Sequence, residues 1–303
     1  MINEMSNLRL QVLSKVRGYK DSDGIGTVIQ NYFKALETYR DGEPFTLYKD
    51  GTLIAHVFKS RFYHRFYGNV LTQYVVDYDL RFEDEAIKFI CEKLDGEALS
   101  DDFRLIEVFS PCYKLKTTLE ENWRVAATSY GGDPSISLPK AADRSENLSL
   151  KNLEFVEAQS LEELEEVMSI KMAAFRKEPD LCWYWKCDQY QTQEFMRLVN
   201  SLSRSETFLV KEGQRVVGYG GLSVEKKNPY WGTTSGIDIA LVDEFRGQGL
   251  SYSIYQFLLE KMVDRGVEFY KGATANPGVI KVSQYLERWP IFYQLLPKGF
   301  RVR

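Results

Sequence analysis

Between Thr234 and Asp264 the hydrophobic pattern of this chain changes period. Thr234–Val242 reads as a strand. From Gly249 to Asp264, Leu250, Ile254, Phe257, Leu258 and Met262 fall on one helical face, and Gly266 follows as a stop. The two are joined by Asp-Glu-Phe-Arg-Gly-Gln-Gly-Leu-Ser, residues 243–251. A strand that feeds a helix through so short a turn belongs to folds in which helices cover a sheet.

The surrounding sequence extends that pattern. Asn152–Ala158 is expected to be a strand, and Leu161–Arg176 a helix opened by a capping box of Ser160 and Glu163. Gln189–Leu202 is expected to be a second helix. Thr207–Val210 and Val216–Val224 flank the turn Lys211-Glu212-Gly213-Gln214 as paired strands. Val267–Ala275 is a further strand, and Pro277 opens a helix reaching about Arg288. The remainder, through Pro297-Lys298-Gly299-Phe300, is expected to close as a hairpin. Gly131–Ser149, rich in Gly, Pro, Ser and Asp, carries no hydrophobic period and reads as a linker.

The first half repeats this order. Phe45–Ala55 is similar to Phe208–Gly218, and Val70–Tyr78 to Thr234–Val242. Asp84–Leu94 matches the helix after the glycine turn, Phe103–Pro111 matches Val267–Pro277, and Thr118–Trp123 matches Tyr285–Trp289. Recurrence in one order points to an internal duplication. It also supplies a control. Where the second half has Arg246-Gly-Gln-Gly, the first has Arg81-Phe-Glu-Asp, so the fold is expected to tolerate a turn without glycine.

Gly247 and Gly249 therefore have two readings. Either the turn is tight, or the backbone must approach an anion. The first amides of a helix lack internal partners and carry partial positive charge. Glycine removes the Cβ that would hold a phosphate away from them, and Arg246 adds a charge-assisted donor. In the first half Glu83, Asp84 and Glu85 would repel such a ligand.

Bulk properties narrow the partners. A net charge of −4 over 303 residues argues against bulk binding to nucleic acid or an anionic membrane. There is no apolar run of membrane-spanning length and no signal-peptide core at the start, so a cytoplasmic location is expected. Four cysteines (Cys91, Cys112, Cys182, Cys187) and two histidines (His56, His64) favour free thiols over a disulfide framework or a zinc site. Arg61–Gly68 (RFYHRFYG) mixes basic and aromatic residues, and reads as a half-buried sheet edge rather than a nucleic-acid strip.

Ile239–Ser251 resembles motif A of the GNAT superfamily of N-acetyltransferases, in which Arg/Gln-x-x-Gly-x-Gly/Ala opens a helix. Arg246, Gly249 and Ser251 stand on its defining positions. Ser251 replaces the usual Gly or Ala, and Asp243 stands where Pro is common. The resemblance runs from about Asn152 to the end. It implies an α/β (α+β) fold with two acetyltransferase-like domains, each a mixed, mostly antiparallel sheet flanked by helices. Residues 1–145 would be a degenerate copy plus linker, and 146–303 the acyl-CoA-binding catalytic domain.

By that resemblance the cosubstrate is acetyl-CoA. Gly247, Gln248, Gly249, Leu250 and Ser251 would hold its pyrophosphate with Arg246. Backbone groups of Ile239, Ala240 and Leu241 would face the pantetheine and thioester. Asn276 matches a position that contacts the pantetheine arm, and equally suits turn chemistry at a helix start. The acceptor would be an amine on a small molecule or peptide, attacking the thioester directly, with no nucleic-acid or membrane partner.

Tyr285 is the expected proton donor to the leaving thiolate, with Tyr293 in reserve; either could instead be a packed helix or strand tyrosine. Asp238, an acid between two isoleucines, is the expected base, with Glu225 as the alternative. An ion pair with Arg or Lys would explain Asp238 as well. Trp183, Tyr184 and Trp185 either line the acceptor site or pack an interface. A non-catalytic acyl-CoA-binding protein would keep the glycine loop without needing Tyr285 or Asp238.

Overall fold

The computed structural model describes residues 1–64, 69–96, 103–146, 153–175 and 188–299. In chain order the elements are α1 (Ile2–Leu13), α2 (Ile25–Glu37), β1 (Phe45–Lys49), β2 (Thr52–His64), β3 (Asn69–Tyr78), α3 (Glu83–Asp95), β4 (Phe103–Phe109), α4 (Tyr113–Leu119) and β5 (Trp123–Gly132). There follow α5 (Pro134–Glu146), β6 (Leu153–Glu157), α6 (Leu161–Phe175), α7 (Asp188–Leu202), β7 (Thr207–Glu212) and β8 (Arg215–Asn228). The last are β9 (Gly232–Leu241), α8 (Leu250–Asp264), β10 (Phe269–Thr274), α9 (Pro277–Tyr285) and β11 (Trp289–Pro297). This is the mixed α/β architecture expected from the sequence, and most of its strand pairs are antiparallel.

Two compact units divide the chain: Met1–Thr128 with Pro290–Arg303, and Ser129–Trp289. In the first, the strands lie in the order β1-β2-β3-β4-β11-β5. Its core joins Val57, Tyr74 and Val76 of the sheet to Ile87 and Ile90 of α3 and Leu115 of α4. Leu295 of β11, fully buried, belongs to this core. Arg61–His64 ends β2, paired with β3 from Arg61↔Thr72 to His64↔Asn69; the rest of RFYHRFYG lies outside the described residues.

In the second unit the order is β10-β9-β8-β7-β6. Helix α8 packs one face with Ile254, Leu258 and Met262 against Phe208, Val210 and Val217. Helices α6 and α7 cover the other with Leu164, Val167 and Leu198 against Leu209 and Tyr219. Each strand thus places alternate residues on opposite helices, as period two requires. The capping box holds: the Glu163 amide donates to Ser160 Oγ (3.2 Å), and Glu163 Oε2 accepts from the Gln159 amide (2.8 Å).

Three expectations need correction. The segment read as a linker, and with it the division near residue 145, contains α5. Asp133 Oδ1 accepts from the Ser135 amide (2.8 Å) and Pro134 opens the first turn, so residues that resemble a loop are here the start signal of a helix. Buried Ala141 and Ser137 then fix α5 within the second unit, with the Ser137 hydroxyl donating to the Leu286 carbonyl (2.7 Å). The closing hairpin is a single strand. Residues Phe292–Leu295 pair antiparallel with Phe109–Ile106, which puts them in the first unit. The last helix stops at Tyr285 rather than Arg288, because Glu287 turns to φ 56°.

Because Leu295 fills the first unit's core, Leu295→Ala is expected to cost about 2–5 kcal/mol of that unit's stability. Amide exchange should then lose protection in β4 while α8 keeps it; the reverse pattern would contradict this placement.

Candidate functional site

The site lies where β9 and β10 part. Their parallel pairing runs through Phe269↔Thr234, Tyr270↔Ser235 and Lys271↔Gly236. Beyond it β9 continues to Leu241 and β10 to Thr274, and both strands line a cleft of about 380 Å³. Backbone N–H and C=O groups freed from a ladder need other partners. Ile237, Ile239, Val279 and Val282 make the walls largely apolar.

One end of the cleft is the start of α8. Gly247 (φ 76°) and Gly249 (φ 83°, the N-cap) are both left-handed, so the turn itself requires glycine. The same loop also faces the cleft through Arg246, Gly247, Gly249, Leu250 and Ser251. The first unit's loop from β3 to α3 is Asp79–Phe82, half the length of Val242–Gly249, and has no left-handed residue. The two loops therefore differ in length as well as in residue type.

Arg246 turns inward, its Nε donating to the Leu241 carbonyl (2.9 Å) and its Nη1 meeting Asp243 at 3.4 Å. It ties the loop to the end of β9 and still borders the cleft. Gln248 closes the loop on the Glu244 carbonyl (2.6 Å) and does not line the cleft. Ile239, Ala240, Leu241 and Asn276 all line it. Asn276 caps α9, accepting from the amides of Gly278 (2.8 Å) and Val279 (3.4 Å).

Asp238 lines the cleft with a side chain 26% exposed, and pairs with Lys171 of α6. Lys171 is buried and also holds Glu194 of α7 at 2.6 Å; Arg197 bonds Glu194 as well and stands 3.8 Å from Asp238. Burial alone would raise the Glu194 carboxyl. The Arg197 hydrogen bond and the charges of Lys171 and Arg197 outweigh it and hold Glu194 at about 2. Burial, and then the Asp238 charge, push the neighbouring Tyr219 phenol well above its usual range.

Tyr285 is elsewhere. Its hydroxyl donates to Asp143 of α5 (3.0 Å), its ring meets Tyr252, and Arg144 stands over it; it does not line the cleft. The hydrogen bond to Asp143 raises its phenol. Tyr293 belongs to the first unit's core. Glu225 accepts from the Asn228 side chain (2.9 Å) and does not line the cleft. Trp183, Tyr184, Trp185, Cys182 and Cys187 lie outside the described residues. The tyrosines that do border the cleft are Tyr252 and Tyr255 of α8.

Lys171, Glu194, Arg197 and Arg288 escape the motif-based reading. Lys171 was visible as an anomaly, since it follows Val167 by four residues and Leu164 by seven on the helix's apolar face.

Residues 164–283 match the family model described as Acetyltransferase (GNAT) family. No curated protein matches the sequence. In fold it is similar to an acetyltransferase of the GNAT family from Colwellia psychrerythraea, with 13% identity, a TM-score of 0.51 and coverage of 98% of this chain and 97% of that one. It is similar to a GCN5-related N-acetyltransferase from Sphaerobacter thermophilus, with 13% identity, a TM-score of 0.54 and coverage of 98% and 92%. It is also similar to a fungal multi-domain GH3 beta-N-acetylglucosaminidase with a GCN5-related glucosamine N-acetyltransferase region, at 11% identity and a TM-score of 0.52. That match covers 97% of this chain and 36% of the fungal one. At these identities the likeness is one of fold.

The depressed Glu194 carboxyl gives a pH test. Its folded value lies below the ordinary 4.5, so its contribution is full above about 4.5 and lost as pH falls toward 2. The stability difference between wild type and Glu194→Gln, from denaturant midpoints, should be constant above pH ~5 and shrink below it. A difference independent of pH down to 2.5 would contradict the assignment.

Proposed function

We propose that the unit Ser129–Trp289 binds acetyl-CoA in the β9–β10 cleft and transfers the acetyl group to a primary amine. The observation that carries the reading is the cleft itself, lined both by Ile239–Leu241 of β9 and by Gly247, Gly249, Leu250 and Ser251 at the start of α8. The pyrophosphate would sit on those amides, favoured by the helix dipole and by Arg246. The arm would lie along β9, and the backbone N–H groups there would polarise the thioester carbonyl.

In the reaction the neutral amine nitrogen attacks the thioester carbon within a ternary complex. The C–N bond forms, the C–S bond breaks, the amine loses a proton and the thiolate gains one. Asp238, at the cleft wall, would take the proton from the bound ammonium, directly or through water. With Tyr285 engaged by Asp143, Tyr252 and Tyr255 are cleft-lining phenols that would protonate the thiolate. The first unit, with the same order of elements and a short loop before an acidic first helical turn in place of the glycine turn, would be a degenerate copy of the second. The acceptor would be a small molecule or peptide, with no nucleic acid or membrane involved. Among the described residues no helix is long and apolar enough to cross a membrane.

A second reading, a non-catalytic acyl-CoA-binding protein, is favoured by one observation: Asp238 and Tyr285 are both engaged by neighbouring side chains.

The binding test is calorimetry with acetyl-CoA. Wild type should bind at one site per chain in the micromolar range. Ser251→Asp places a carboxylate in the first turn of α8, where the dipole favours it by about 0.3–1 kcal/mol. The variant should keep its melting temperature and lose binding at least about tenfold through phosphate repulsion. Undiminished binding by a folded Ser251→Asp protein would remove the pyrophosphate from this loop. Release of free thiol in the presence of an amine panel separates the enzyme from the non-catalytic reading.

A further inference from the structure

Arg288, 6% exposed, lines the same cleft. Its Nη1 donates to the Tyr255 hydroxyl (2.9 Å) and Ser283 Oγ (3.0 Å), and its Nη2 to the carbonyls of Tyr130 (2.9 Å) and Gly272 (3.5 Å). The guanidinium carbon stands 4.9 Å from the centre of the Tyr270 ring. All these neighbours are neutral, and the buried Nε has no acceptor. Among the described residues no carboxylate pairs with Arg288. Two other buried cations are treated differently: Arg9 holds Asp77, and Lys171 holds Glu194 and Asp238. A buried charge with dipoles around it and no counter-charge is costly, and the cost falls when an anion arrives.

The position of Arg288 says which anion. Gly272 directly follows Lys271, the last paired residue of β10, so Arg288 stands at the closed end of the cleft. The phosphate end is the α8 start, beside Leu241. Ile237 to Leu241 spans about 13 Å at roughly 3.3 Å per residue. A thioester donor lying along β9 with its phosphates on Gly247–Ser251 points its acyl group toward Arg288.

Building on the acyl-CoA reading above, we propose that Arg288 is a specificity residue for the donor, selecting an acyl group that ends in a carboxylate. The preferred donors would be monothioesters of short dicarboxylic acids rather than acetyl-CoA. The transfer chemistry is unchanged. The amide bond forms and the C–S bond breaks, while the distal carboxylate is a spectator held by Arg288. The product carries an acid where the acceptor carried an amine.

The test is calorimetry on the full chain with CoA, acetyl-CoA, n-butyryl-CoA and succinyl-CoA. The last two share a four-carbon chain and differ in the terminal carboxylate. Succinyl-CoA is expected to bind about tenfold or more tighter than butyryl-CoA, as a charge-assisted guanidinium contact provides. Arg288→Met should abolish that preference and leave free CoA binding unchanged. Equal or tighter binding of butyryl-CoA by wild type would overturn the proposal, and this comparison decides it even if the variant fails to fold. Equal loss of CoA and succinyl-CoA in a folded Arg288→Met would make the anion the pyrophosphate, and would overturn it too. If no CoA species binds wild type, the acyl-CoA reading itself falls, a result distinct from equal binding.

Discussion

A parallel strand pair that stops pairing halfway leaves backbone donors and acceptors with no ladder to join. In this protein β9 and β10 separate after Gly236 and Lys271, and the second unit is arranged around that separation. Helices α8 and α9 close the gap without filling it, and Leu250 and Val282 bury against the core while bordering the cleft. The loop before α8 needs two left-handed glycines to reach the cleft mouth. The same backbone requirement that makes glycine obligatory for the turn keeps Cβ atoms away from the first amides of α8, so in the proposed reading the turn and the anion site have one cause.

Both units place a buried helix cation on a strand acid. In the first, Arg9 of α1 donates to Asp77 of β3, under the rings of Tyr32 and Phe33, with His56 3.0 Å from the same carboxylate. In the second, Lys171 of α6 meets Asp238 of β9 beside Tyr219. Asp77 is fully sealed, whereas a quarter of the Asp238 side chain is open to the cleft. A similar device is thus sealed in one unit and borders the cleft in the other. Desolvation makes such pairs poor stabilisers on balance, yet removing one partner strands the other.

The strands and helices of the second half were legible because period two and period 3.6 are strong signals in β7–β9 and α8. The glycine loop was legible as a motif, and five of its positions (Arg246, Gly247, Gly249, Leu250 and Ser251) meet Asp238–Leu241 and Asn276 at one cleft. What was not legible has specific causes. The composition of α5 is that of a loop, since Asp133, Pro134, Ser135 and Pro139 suit turns as well as helix starts. The partner of β11 was hidden because alternation tells which face of a strand is buried and nothing about its neighbour. Tyr285 was misdirected for a related reason: the unforeseen α5 supplies Asp143 and takes its hydroxyl. Arg288 sits just past a helix end, where a basic residue ordinarily needs no explanation.

The pairing of β11 with β4 joins residues far apart in the chain; Gln294 bonds Glu107 across 187 positions. During synthesis the sequence of the second unit is complete before β11 emerges, so the first unit's sheet is the last to close. Until then β4 presents an open edge, the kind of surface on which chains associate wrongly. The order of translation and the order of assembly are therefore inverted, and the first unit made is the last one finished.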